Sequence, residues 1–209
     1  MGFLFFPGGK KTEKKSGKST KNKGGSKKQS KKPKNAADPS ETIFESQFSS
    51  HSSSSSIKLT NEQLVRYYMH AKNRHATTEE LLPLFHETAT VKFDDQGCLT
   101  AVQLVTEIHK LYQAFEDLSF SFESVKEVRP GEVLVEQLVV SGTHTGNLIF
   151  MDLPAIPASG KHVVLDPERV WVNVEDGKIA KMDVMALGNL TGPPGLYVSV
   201  GGKLQNPCE

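Results

Sequence analysis

The sequence predicts an α+β fold in which about three N-terminal helices cover a curved antiparallel sheet. Two observations carry that reading. Up to Phe115 most apolar residues recur every three or four positions, and from Leu118 the period drops to two and stays there. Turn signals at Arg129-Pro130-Gly131 and Glu175-Asp176-Gly177 then punctuate the second half as hairpins do. A sheet of about five strands has one face that helices can cover, and a strong bend in it leaves a cavity between the two layers.

Each element has its own signal. Thr60-Asn61-Glu62-Gln63 pairs a Thr cap with a Gln three residues on, and Leu64, Tyr68, Ala71 and His75 follow at helical spacing. Thr78 to Leu84 reads as a second, short helix, with Glu79 and Glu80 in its first turn and Pro83 near its end. Thr88 to Asp95 alternates as a half-buried strand, with Ala89, Val91 and Phe93 on one face. After a turn at Asp94 to Gly97, Thr100 to Phe115 is a long amphipathic helix carrying Val102, Val105, Ile108, His109, Tyr112 and Phe115. Four strands then follow: Leu118 to Val128, Glu132 to His144, His162 to Val174, and Lys178 to Leu187.

Composition narrows the function classes. The chain has 209 residues, 37% hydrophobic and 23% charged, which suits one medium domain with a tail, expected as residues 57–209 and 1–56. Its two cysteines, Cys98 and Cys208, are too few for a disulfide framework, and no Cys and His spacing suggests zinc. There is no P-loop, dinucleotide fingerprint or nucleophile elbow. No cofactor and no metal are expected. No apolar run approaches the roughly 18 residues of a membrane span, and Gly2 to Phe6 is too short for a secretory core, so an intracellular, cytoplasmic or nuclear, location is expected.

The element order, Gly142-Thr143-His144-Thr145-Gly146, the Pro154 to Pro157 loop, Gly160-Lys161 and Val174-Glu175-Asp176-Gly177-Lys178-Ile179 together resemble the SnoaL-like polyketide and ester cyclases. These belong to the wider superfamily of nuclear transport factor 2 and ketosteroid isomerase. The resemblance covers roughly Ile57 to Leu196. It implies an NTF2-like cone-shaped fold, a deep apolar pocket, an apolar small-molecule ligand and a homodimer packed through the sheet. It also implies cofactor-independent cyclase or isomerase chemistry on a carbonyl compound; a non-catalytic ligand-binding or interaction module is the alternative, because this superfamily hosts both.

The chain departs from the cyclase pattern at one position. Cyclases of this kind carry an Asp ten residues past the Gly of the Asp-Gly-Lys-Ile turn, and counting from Gly177 puts Leu187 there. Asp183 shares its strand, but Met182, Val184 and Ala186 form the apolar parity and turn Asp183 outward. By comparison with ketosteroid isomerase, Tyr68 on the first helix suits a hydrogen-bond donor. Phe93 stands at the base position and Asp95 follows two residues on. Glu168 lies on the parity of Val170, Val172 and Val174, where an acid would have a raised pKa and could shuttle a proton. Glu168, Asp95 and Tyr68 are therefore the candidate catalytic residues, and His144, Asp183, Phe93 and Trp171 the candidate ligand contacts. Each has a plainer alternative: an ion pair with Arg169 for Glu168, a turn residue for Asp95, a core aromatic for Tyr68, a sheet hydrogen bond for His144.

The net charge of +1 hides a division along the chain. Met1 to Lys34 holds twelve Lys against Glu13, a charge of +11, and the remainder holds thirteen Lys and Arg against 23 acids, a charge of −10. Lys10 to Lys34 has almost nothing apolar and is expected to be disordered, followed by a Ser-rich linker ending in Ser52 to Ser56. Three roles are open for residues 10–34: contact with an anionic membrane, contact with nucleic acid or nuclear import, or solvation alone. If the segment binds vesicles or nucleic acid, that binding is expected to fall steeply as salt is raised, as measured by co-sedimentation of the full chain against one lacking residues 1–34.

Overall fold

The computed structural model describes residues 59–94, 97–151 and 153–203. The lysine-rich tail, the Ser-rich linker, Asp95 and Cys208 lie outside the described residues.

Helix α1 (Asn61–Asn73) begins with a reciprocal capping box: the Gln63 backbone N–H donates to Thr60 Oγ1 at 3.2 Å, and the Thr60 N–H donates to Gln63 Oε1 at 2.9 Å. It ends at Asn73, so His75 stands beyond the helix, in a left-handed conformation with φ 55°. Helix α2 (Thr78–Leu81) is capped in the same way by Thr77 and Glu80. It tightens into a 3-10 turn over Leu82–Leu84, where Pro83 has no N–H to continue an α-helix. Strand β1 (Phe85–Phe93) starts earlier than its alternation suggests, because Phe85 is buried edge-on against Tyr68, with ring centroids 5.2 Å apart. A short β2 (Cys98–Thr100) leads into α3 (Ala101–Ala114), whose Thr100 and Gln103 form a third capping box.

The sheet strands that follow are β3 (Ser119–Ser121), β4 (Ser124–Arg129), β5 (Glu132–Thr143), β6 (His162–Val164), β7 (Glu168–Glu175) and β8 (Lys178–Ala186). The sheet runs β2-β1-β8-β7-β5-β3, with β4 and β6 also on β5. Two of the four expected strands are thus each broken in two, and both breaks have one cause. Strand β5 has a register shift between Val135 and Leu138, and Gln137 there has φ 54°. An extra residue at this point bends the strand. The first half of β5 pairs with β4 and β7, and the second half with β3 and β6. Pro167 adds to the break between β6 and β7 by removing a ladder donor.

The sheet is mixed. Strand β1 pairs with β8 in parallel, with Val91 opposite Met182, while every other pairing is antiparallel. A parallel pair needs a long crossover, which the chain between β1 and β8 supplies. The tight turn between β7 and β8 uses Asp176 and Gly177 with φ 49° and 73°, as the strand twist requires. A fourth helix, α4 (Gly192–Ser199), has no counterpart among the expected elements: its Gly-Pro-Pro-Gly start carries no period. Its tyrosine Tyr197 donates to the Pro154 carbonyl at 2.9 Å, and the Ser199 carbonyl accepts from Lys161 Nζ at 2.5 Å.

The Gly-Thr-His-Thr-Gly segment docks the end of β5 onto the C-terminus of α3. The Thr145 and Gly146 N–H groups both donate to the Ala114 carbonyl at 3.0 Å, and Asp117 accepts from both the N–H and the hydroxyl of Thr143. The first two bonds satisfy the Ala114 carbonyl, one of the acceptors that a helix leaves without an internal partner at its C-terminus. A Cβ at Gly146 would collide with the Gln113 carbonyl oxygen. Gly146→Ala is therefore expected to lower the unfolding free energy by about 2 kcal/mol or more, read from urea midpoints against the wild type.

Candidate functional site

Between the helices and the bent sheet lies a cavity of about 70 Å³. Helix α1 contributes Tyr68, Met69 and Lys72; α3 contributes Leu104, Ile108 and Leu111; β1 contributes Val91 and Phe93. The far wall is Phe120 of β3, Leu138 and Val140 of β5, Glu168 and Val170 of β7, and Met182 and Val184 of β8, closed by Gly192, Pro193 and Leu196 of α4. Phe93 and Pro193 are the half-buried liners and mark where the cavity meets the surface. Among the described residues its charged liners are Lys72 and Glu168, each 5% exposed.

The sheet bend places Glu168. It is the first residue of β7 and lies opposite Leu138, just past the shift in β5, with its side chain on the inward parity of Val170. Arg169, on the other parity, pairs instead with Glu136 at 3.5 Å. The start of α4 sits against the carboxylate: a Cβ on Gly192, itself at φ 59°, would lie 3.4 Å from Glu168 Oε1. Asp166 holds that approach, its Oδ2 accepting from the N–H groups of Asn189 at 2.8 Å and Leu190 at 3.0 Å.

Lys72 is held from the other side. Asn73 clamps β3 through both its amide atoms, accepting from the Phe120 N–H at 2.6 Å and donating to the Phe120 carbonyl at 3.0 Å. This sets the Phe120 ring 4.1 Å from Lys72 Nζ, and the Tyr68 ring lies 4.9 Å away on the same ammonium. Tyr112 donates its hydroxyl to the Lys72 carbonyl at 2.8 Å. Among the described residues Lys72 belongs to no direct ion pair.

Burial dominates the electrostatics. It pushes the Glu168 carboxyl up to about 7, against the pull of Lys72 and the Gly192 amide, with the Asp94 charge adding to the rise. Burial likewise lowers the Lys72 ammonium to about 8, opposed by Glu168. The Tyr68 hydroxyl is raised above its ordinary value by burial and then by Tyr112, so it stays a proton-bearing donor. The cavity is therefore lined by an acid that changes charge near neutrality, a cation and a tyrosine, in walls that are otherwise apolar among the described residues.

Comparison with solved structures agrees with this architecture. The chain superposes on AclR from Streptomyces galilaeus, described as a candidate hydroxylase, with a TM-score of 0.52 and 20% identity over 66% of this chain and 92% of that one. A candidate SnoaL-like polyketide cyclase from a Jannaschia species superposes with a TM-score of 0.50 and 18% identity, over 65% and 92% of the two chains. The fold is SnoaL-like. TsrD from Streptomyces laurentii matches with a TM-score of 0.51 and 19% identity, over 69% of this chain and 99% of its own. No family model and no curated protein matches the sequence.

Within this SnoaL-like frame, the cavity brings together Glu168, Tyr68 and Phe93 of the expected residues. Asp183 and Trp171 stand on the opposite parity of their strands, away from it, and Asp183 pairs with Lys181 at 2.7 Å. His144 is fully buried but outside the cavity, its Nδ1 3.0 Å from Ser159 Oγ and its ring tilted against Phe115; burial lowers its pKa. Leu187 is 44% exposed and lies beyond β8, so the position that carries the cyclase Asp is not on the cavity wall. Lys72 escapes the sequence reading, although a signal for it exists: Leu64, Tyr68 and Lys72 follow one another at four-residue spacing, so the lysine continues the buried stripe.

The two buried charges shape stability in opposite directions. Because the folded Glu168 titrates above its ordinary 4.5, unfolding free energy is expected to fall as pH rises from about 4.5 to about 7, by on the order of 3 kcal/mol at most. Because Lys72 titrates below its ordinary 10.5, stability recovers between about 8 and 10.5. Urea titrations across this range check both limbs, and Glu168→Gln is expected to flatten the first.

Proposed function

We propose that the protein is a cofactor-independent acid/base catalyst of the cyclase or isomerase type, moving a proton on the carbon beside a carbonyl of an apolar substrate. The observation that carries this is a buried carboxyl that titrates near neutrality in an otherwise apolar cavity that Tyr68 also lines. In the proposed reaction the Glu168 carboxylate removes the proton, Tyr68 donates a hydrogen bond to the developing oxyanion, and the resulting Glu168 acid returns the proton to another atom of the same substrate. The names of the structural neighbours, which include candidate polyketide cyclases, agree with this class.

A second reading has its own observation. Leu187 stands where the cyclases carry their Asp, and a chain without that acid suits a ligand-binding module.

Butanone in heavy water separates the two. The full chain is expected to speed loss of the α-proton signal in the NMR spectrum, Glu168→Gln to slow it by roughly 100-fold or more, and Tyr68→Phe by roughly 100-fold. Absence of any acceleration, together with an apolar ligand retained in native mass spectrometry of the full chain, would favour the binding module.

A further inference from the structure

We infer that Lys72 is a nucleophilic amine and that the cavity takes small apolar aldehydes or ketones as imines on Lys72 Nζ. This deepens the proposed function, resting on its view that the cavity handles carbonyl compounds, and gives Lys72 a covalent task.

Burying an ammonium is costly, and a methionine would fill the same apolar stripe without that cost. Among the described residues no carboxylate forms a direct ion pair that would offset the cost; Lys72 Nζ stands instead over the faces of Tyr68 and Phe120, at the cavity wall. Burial brings its ionisation down to about 8, against the pull of Glu168, so that about half of it is free amine at that pH. Asn73 and Tyr112 fix the backbone and the ring around it, so the amine is held in one place rather than free to leave for solvent. Glu168 lines the same cavity and supplies the proton transfers that imine formation needs.

The chemistry balances without another reactant. The neutral amine attacks the carbonyl carbon, the C=O π pair moves to oxygen, and a proton passes from nitrogen to that oxygen to give a carbinolamine. The Glu168 acid protonates the hydroxyl, the nitrogen lone pair forms the C=N bond, and water leaves, so an iminium faces a carboxylate. That carboxylate then takes the α-proton and the C–H electrons form the enamine, with no net charge gained or lost. Water returns along the same path to release the product.

The test uses butanone and cyanoborohydride with the full chain at about pH 8, followed by peptide mapping. The lysines of residues 10–34 serve as reference amines in the same sample. Lys72 is expected to gain the reduced butyl group about tenfold faster than those lysines, and to lose that advantage in guanidinium. Glu168→Gln is expected to slow the labelling about tenfold or more. Labelling of Lys72 no faster than the reference lysines overturns the imine. If that happens while the wild type and Lys72→Arg both exchange the α-protons of butanone, the acid/base reading of Glu168 survives alone. Rapid labelling of Lys72 with no α-proton exchange in the wild type leaves the imine standing and removes both the enamine step and the proton-transfer reading.

Discussion

The bend in β5 is the constraint on which the rest of the domain depends. One strand serves four partners, and it can do so only because the extra residue at Gln137 redirects its second half. Without that change of direction the helices would lie flat on the sheet and their apolar faces would meet Val140 and Val170 directly. With it, the sheet curls away from α1 and α3, and the space that opens is the cavity. The same bend starts β7 at Glu168, so the acid and the space it faces share one geometric origin.

The cavity poses an electrostatic problem that its walls answer only in part. Two opposite charges are withdrawn from water, yet they are not brought into direct contact, so neither is fully compensated. The aromatic faces of Tyr68 and Phe120 support the cation, and the Gly192 amide supports the anion. Partial support is what leaves both groups close to neutrality, where small changes in occupancy or hydration move their protons. A tight ion pair at the same positions would lock both charges and make the site inert over the same pH range.

Much of this was legible in the residues. The Thr60 and Thr100 caps, the change of period at Leu118 and the Asp176-Gly177 turn are local signals, and local structure follows them. Alternation likewise turns Glu168 inward and Asp183 outward, because a strand has only two faces. What the residues do not announce is set by tertiary context. The bulge at Gln137 carries no glycine to mark it, and the parallel pairing of β1 with β8 depends on closure across the whole domain. Helix α4 has no amphipathic period and is fixed by polar contacts to distant loops. Lys72 was hidden by its type: a lysine on a helix reads as solvated unless its place on the apolar stripe is given more weight than its charge.

The parallel pairing of β1 and β8 also has a meaning in time. The first long strand of the domain finds its central neighbour in the last, with Val91 waiting for Met182. On a ribosome the N-terminal helices and β1 emerge well before the strand that completes their sheet, and loop-closure entropy opposes the contact until most of the chain is out. The nascent domain thus presents a bare strand edge and an unfinished apolar face for most of its synthesis, and its apolar interior comes into being only with the closing strand.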